Sequence, residues 1–168
     1  TNTPPSVQVW TSDTRKWRVI SEPGAKWRNP GNITVEQFTW RSSDGVFEPD
    51  GLLVKPRNFD AKRKYPLIVL MMGGMAPYTI RHDNRFNPIT GWDVAGAPAA
   101  VFTEAGYLVF MPNHRGSEYS SLAAARAMIG NYGKHMELDV LAGVDTLIAK
   151  GWVDPDRLAI MGQTHGGD

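Results

Sequence analysis

The 168-residue sequence contains no cysteine, which excludes disulfides, zinc–thiolate centres and cysteine nucleophiles. It has no apolar run near the roughly 18 residues a membrane-spanning helix needs. It also lacks the basic segment and apolar stretch of a secretory leader. Charge of either sign is not in excess: 18 Lys+Arg against 17 Asp+Glu leave +1, without the basic stripe of a protein that binds nucleic acid or membrane surfaces. Neither His-x-x-x-His spacing nor a carboxylate cluster is present, so no metal is expected. The glycine-rich stretches fit neither the G-x-G-x-x-G nor the Walker pattern, so no nucleotide or other cofactor is expected. These absences read as a cytoplasmic protein with neither nucleic acid nor membrane as partner.

What is present is ordinary for one globular domain: 42% hydrophobic and 21% charged residues. The 17 glycines and 12 prolines favour a loop-rich α/β or all-β fold over a helical bundle. Four of the six tryptophans, Trp10, Trp17, Trp27 and Trp40, lie in the first 40 positions. Alternation in 7–11 and 17–21 about the turn Ser12-Asp13-Thr14 predicts a β-hairpin, whose packing would account for the tryptophans. Pro23-Gly24 and Asn29-Pro30-Gly31-Asn32 then act as a linker. Residues 1–33 are therefore expected to be a hairpin and linker, and 34–168 a second unit.

That unit opens with a strand pair, 34–42 and 46–55, around Ser43-Asp44-Gly45. Pro49-Asp50-Gly51 marks the second strand as an edge or bulged strand. The apolar run 66–72 suits a strand buried on both faces. A short helix over 99–105, with Val101 and Phe102 inward, stops at Gly106. A second buried strand, 107–111, ends at Pro112. Ser120 or Ser121 caps a helix from Leu122 to about Tyr132. A longer helix covers about Met136 to Lys150, with Leu138, Leu141, Val144, Leu147 and Ile148 on one face, and stops at Gly151. Asp154-Pro155 turns the chain into a third buried strand, 158–161. Strands alternating with helices predict an α/β fold with a mostly parallel sheet.

The last strand runs into Gly162-Gln163-Thr164-His165-Gly166-Gly167. A sharp strand-to-helix turn needs glycines where any Cβ would clash, and it holds the residue between them, Thr164, at the tip. In such a nucleophile elbow the hydroxyl stands at the C-terminal edge of the sheet, and the next backbone N–H, that of His165, faces a developing oxyanion. The Gly73 N–H, after the first buried strand, is the candidate second donor, with Gly74 beside it as a binding position. Arg115 either pairs with a buried carboxylate or lines the site as a binding residue. His82, His114 and His135 read as solvated or structural, and Asp139 and Asp145 as polar-face or capping residues of the long helix.

Several segments, in order, resemble the prolyl oligopeptidase family of serine peptidases, including its dipeptidyl-peptidase and acylaminoacyl-peptidase types. They are Phe38-Thr39-Trp40-Arg41-Ser42-Ser43-Asp44-Gly45, Lys55-Pro56, Phe59-Asp60, Lys64-Tyr65-Pro66-Leu67-Ile68-Val69 and Gly73-Gly74. The series continues with Ala105-Gly106-Tyr107-Leu108-Val109, Pro112-Asn113-His114-Arg115-Gly116-Ser117, Asp139-Val140, Val153-Asp154-Pro155-Asp156-Arg157-Leu158-Ala159-Ile160 and the elbow. The resemblance covers 34–168 and implies the N-terminal part of an α/β-hydrolase domain, with the hairpin resembling the end of a β-propeller. It also implies acyl transfer from short peptides or acylated amino acids to water through a Ser–Asp–His triad. The sequence departs from the family at the nucleophile, where Thr164 stands for serine, and at Met72-Gly73-Gly74-Met75, where the family has His-Gly-Gly-Pro. In α/β-hydrolases the acid and base follow the nucleophile, so both are expected from sequence beyond Asp168. An inactive binding or scaffold module, and one half of a split enzyme, are the alternatives. The expected partners are a peptide or acyl-amino-acid substrate and, at an exposed sheet edge, a complementing chain or a second copy.

Overall fold

The structure, a computed structural model, describes residues 6–22, 34–71, 99–116, 122–131 and 133–162. Strands β1 (Val7–Thr11) and β2 (Lys16–Ser21) form the expected antiparallel hairpin, a two-stranded sheet of its own. Trp10 and Trp17 face each other across it but remain 49% and 67% exposed. For these two the expectation of core packing is not met, because among the described residues no second layer covers either face of the two-stranded ribbon; Trp27 lies outside the described residues. Trp40, by contrast, is buried in the larger unit.

That unit is a five-stranded sheet of β3 (Thr34–Thr39), β4 (Asp50–Lys55), β5 (Tyr65–Met71), β6 (Leu108–Asn113) and β7 (Val153–Gly162), in the order β3-β4-β6-β5-β7. The β3–β4 and β4–β6 pairs are antiparallel, and the β5–β6 and β5–β7 pairs parallel. The sheet is thus mixed, its parallel half being the half that carries the candidate site.

Period-two alternation sorts its side chains onto two faces. Leu53, Leu67, Val69, Met71, Leu108 and Phe110 pack with Phe38 and Trp40 against Val140, Val144 and Leu147 of α3 (Lys134–Ala149). Leu52, Val54, Ile68, Leu70, Val109 and Met111 pack against Ala99 of α1 (Ala99–Glu104). Helices therefore cover both faces of the sheet, which is why β5 and β6 read as continuous apolar runs. A further short helix, α2 (Leu122–Ala127), is half the expected length. Ser120 and Ser121 lie outside the described residues.

Both packed helices end as the sequence predicts. Gly106 (φ +88°) and Gly151 (φ +77°) each follow a last turn closed by paired backbone bonds. Gly106 N–H donates to Thr103 O and Tyr107 N–H to Phe102 O, while Gly151 N–H donates to Ile148 O and Trp152 N–H to Leu147 O. This is the Schellman pattern, which a residue with a Cβ reaches only with strain.

Other expectations are corrected. β4 is an interior strand rather than an edge, and Pro49 precedes it, its carbonyl accepting the Trp40 N–H at 3.1 Å. Gly51 is required there because a Cβ would lie 2.4 Å from Met111 O of β6. β6 runs through Pro112 to Asn113 instead of ending before it. On α1, Val101 is exposed and Thr103 buried. On α3, Leu141 is exposed, and the inward stripe is Asp139, Val140, Gly143, Val144 and Leu147. Gly143 permits the helix–sheet approach, since a Cβ would meet the Phe110 ring at 2.8 Å. Asp154 to Arg157 form an excursion within β7: Val153 pairs with Tyr65 and Leu158 with Leu67. The Asp154 carboxylate closes that excursion by accepting from Asp156 N–H (3.2 Å) and Arg157 Nε (2.6 Å).

Candidate active site

β5 and β7 run in the same direction and finish level, Met71 paired with Gly162. β6, parallel to β5 on its other flank, finishes at Asn113. Three strand C-termini thus open on one edge, where ligands of open α/β sheets gather. Gly73 and Gly74 follow Met71 directly after one residue, and Thr164 and His165 follow Gly162 in the same way. These four, with His82, lie outside the described residues. The structure therefore brings together the strand ends that lead to them.

The loop leaving β6 is described in full as far as Gly116, and it is anchored by Arg115. Both Arg115 and Asp139 are buried. Asp139 Oδ1 accepts from Nη2 at 2.6 Å, and Oδ2 from Nε at 2.8 Å and from the Arg115 backbone N–H at 2.9 Å. A planar guanidinium is suited to this two-point grip on a carboxylate. Nη1 donates to Asp44 Oδ2 at 2.6 Å, and the guanidinium lies 4.7 Å from the centre of the Phe47 ring. Asp44 in turn accepts from Ser42 Oγ (2.6 Å) and the Val46 N–H (3.1 Å). The Asp139 backbone carbonyl accepts from Trp40 Nε1 at 2.7 Å. One arginine therefore fastens the β6 loop to α3 and to the β3–β4 connection. Of the two readings the sequence left open for Arg115, this geometry is that of a partner for a buried carboxylate.

The electrostatics follow from these contacts. The Arg115 hydrogen bond, followed by those from Ser42 and Val46, holds the Asp44 carboxyl far below the usual carboxylate range. The bond to Asp139 raises Arg115 further, against the cost of its burial. His114 is shifted down, chiefly by burial. Its Nδ1–H donates to the Arg115 carbonyl at 2.7 Å.

Asp139 is the residue whose role the sequence reading missed, and Asp145 alone keeps the expected exposed place on α3. The available signal was its position: Asp139 lies four residues before Gly143 on the inward stripe of a helix, where a carboxylate is retained only with a partner. Among the described residues no group of His, Asp and Glu could hold a metal. Among them, too, no helix is long and apolar enough to cross a membrane.

Residues 92–168 match the prolyl oligopeptidase family. This part of the chain belongs to that family. Over 162 residues, 96% of its length, the chain is 27% identical to the protein named Probable dipeptidyl-aminopeptidase B of Emericella nidulans and covers 16% of it. Its fold is similar to that of Porphyromonas gingivalis dipeptidyl peptidase 4, with TM-score 0.77 and 21% identity, over 98% of this chain and 22% of that one. It is also similar to Pyrococcus horikoshii acylaminoacyl peptidase, with TM-score 0.67 and 21% identity, over 98% of this chain and 24% of that one. The chain thus spans about a sixth of the curated relative and under a quarter of the solved structures. The described sheet is the N-terminal part of the α/β-hydrolase fold found in prolyl oligopeptidase family members.

Proposed function

We propose that the chain supplies the nucleophile side of a peptidase site that transfers an acyl group from short peptides or acylated amino acids to water. Thr164 would attack the scissile carbonyl, and the backbone N–H groups of His165 and Gly73 would take the oxyanion. The acid and the base would come from other sequence. The observation that carries this reading is the level finish of β5 and β7, Met71 opposite Gly162. An elbow after β7 and a Gly-Gly turn after β5 then start from neighbouring strands on one edge, as a nucleophile and its oxyanion donors require. The Arg115 clamp contributes rigidity to the third loop on that edge. β7 is the last strand of the described sheet, and its free flank supports a complementing segment or a second copy pairing there. A specific observation favours a second reading, an inactive binding module: threonine is β-branched, and a strained elbow geometry suits it poorly.

Hydrolysis of aminoacyl and acyl-aminoacyl p-nitroanilides, by the chain alone and with candidate complementing chains, tests the proposal. Thr164→Ala is expected to lower turnover by at least about 10³, given that loss of a triad nucleophile costs up to about 10⁶, and Thr164→Ser to retain or raise it. Turnover that survives Thr164→Ala removes Thr164 from the reaction. Saturable binding of the same substrates without turnover selects the inactive module.

A further inference from the structure

The opposite end of the sheet carries a feature that the peptidase reading does not use. A cleft of about 540 Å³ opens there, lined by Arg57, Arg63, Lys64 and Arg157 together with Asn58 and a single carboxylate, Glu104. Four cations line it, and two carboxylates answer them, Glu104 in the lining and Asp154 paired with Arg157, which leaves a balance of +2 (4 − 2). The whole chain carries a net charge of only +1, so this charge is segregated rather than average. Two separate stretches supply it: the connection between β4 and β5, with its Lys62-Arg63-Lys64 run, and the excursion within β7 that holds Arg157. The floor is ordered. Tyr65 is buried and its hydroxyl accepts the Asp60 N–H at 2.7 Å, while Arg63 lies 5.8 Å from the centre of the Tyr65 ring. Arg157 is held from behind by Asp154. The volume suits a small molecule, and guanidinium groups match the paired oxygens of phosphate and carboxylate.

We propose that this cleft binds a small multivalent oxyanion, a phosphate- or polycarboxylate-bearing molecule. It is distinct from the candidate active site. Tyr65 begins β5 and Met71 ends it, so the two sites stand about 20 Å apart at roughly 3.3 Å per strand residue.

Titration of the full chain with pyrophosphate and, separately, with citrate, followed by calorimetry and amide chemical shifts, tests the proposal. Saturable binding is expected for at least one of them, weakening as salt rises. The stronger of the two identifies the ligand as phosphate or polycarboxylate. Arg63→Ala combined with Lys64→Ala is expected to weaken it by about tenfold or more, through loss of two charge-assisted contacts. Glu104→Gln is expected to tighten it, a gain that a misfolded variant would not produce. Lys134→Ala, an exposed cation outside the cleft, serves as the control and is expected to leave it unchanged. Absence of saturable binding by both anions, or equal binding by the Arg63/Lys64 variant, overturns the proposal, and neither result bears on Thr164.

Discussion

Replacing Asp139 by asparagine tests whether the Arg115 clamp organises the β6 loop. The substitution keeps the size and branching of the side chain and exchanges one acceptor oxygen for an NH₂ donor. In the native arrangement the carboxylate takes three hydrogen bonds, all from Arg115, at 2.6, 2.8 and 2.9 Å. The asparagine NH₂ must then face a guanidinium or backbone donor, and the Arg115 charge, with a side chain only 2% exposed, loses its main counter-charge. Removing one partner of a buried pair costs about 3–5 kcal/mol. Against a total stability of about 5–15 kcal/mol for a domain, that is a large fraction. Asp44 compensates little, because its carboxylate is 36% exposed and a pair of that kind is worth about 0–1 kcal/mol.

Urea unfolding followed by tryptophan fluorescence measures the effect, with Trp40 as a reporter inside the affected network. Asp139→Asn is expected to lower the unfolding free energy by about 3–5 kcal/mol with an unchanged m-value, and Asp44→Asn by about 1 kcal/mol or less. The double variant Arg115→Met with Asp139→Leu separates the interaction from the packing. An apolar pair of similar volume avoids desolvating two charges and is often near neutral, so the double variant should be more stable than either single one. A loss under about 1 kcal/mol for Asp139→Asn, or a double variant whose loss equals the sum of the singles, would refute the account of a coupled buried pair.

Gly51→Ala is expected to cost at least about 3 kcal/mol, the upper end of overpacking, because the new methyl meets the Met111 carbonyl at 2.4 Å and the Pro112 Cα at 2.9 Å. Both are backbone atoms of the neighbouring strand, and a thermal melt within a few degrees of the parent would contradict this. Stability should also fall on acidification. The folded-state Asp44 carboxyl sits below its unfolded value, so its contribution is complete above about pH 4 and is lost as pH drops below that. Urea midpoints between pH 5 and 2 should therefore decline less steeply in Asp44→Asn than in the parent, and identical slopes would count against it.

The sequence carried what is decided locally, and the structure supplied what depends on distant partners. The two-face burial of β5 is written in a continuous apolar run, and the ends of α1 and α3 in Gly106 and Gly151. Each signal is complete within a few residues. The place of Asp139 is not, since its partner lies 24 residues away and the other carboxylate of the network 71 residues from the arginine. Helical spacing alone could not choose between Leu141 and Val140 as the inward residue, because only the position of Phe110 and Trp40 beneath Gly143 fixes the rotation of α3. The N-terminal tryptophans misled for the same reason: burial needs a facing layer, and composition does not reveal one. Where the candidate site is concerned, the glycine-flanked threonine was found from local pattern, whereas the alignment of its strand with β5 is a matter of register.

Pro112 shows how far such tertiary context reaches. Proline lacks the N–H that an interior strand residue normally donates, which is why the sequence places a strand end before it. β6 nevertheless continues to Asn113, because its two flanks do not end together. Pairing with β5 stops at Phe110, while pairing with β4 runs on through Gly51–Pro112 and Asp50–Asn113. Beyond Phe110, among the described residues, the β5 side of β6 has no ladder from which a missing donor could withdraw a bond. On the other side the close approach of Gly51 fits the ring, and the Asn113 side chain takes over the fastening by donating to Asp50 Oδ1 at 2.9 Å. The extension carries the chain three residues past the β5 pairing before Arg115 turns it under α3. The β6 loop accordingly reaches the edge where β5 and β7 finish, which is where a third wall of the candidate site has to stand.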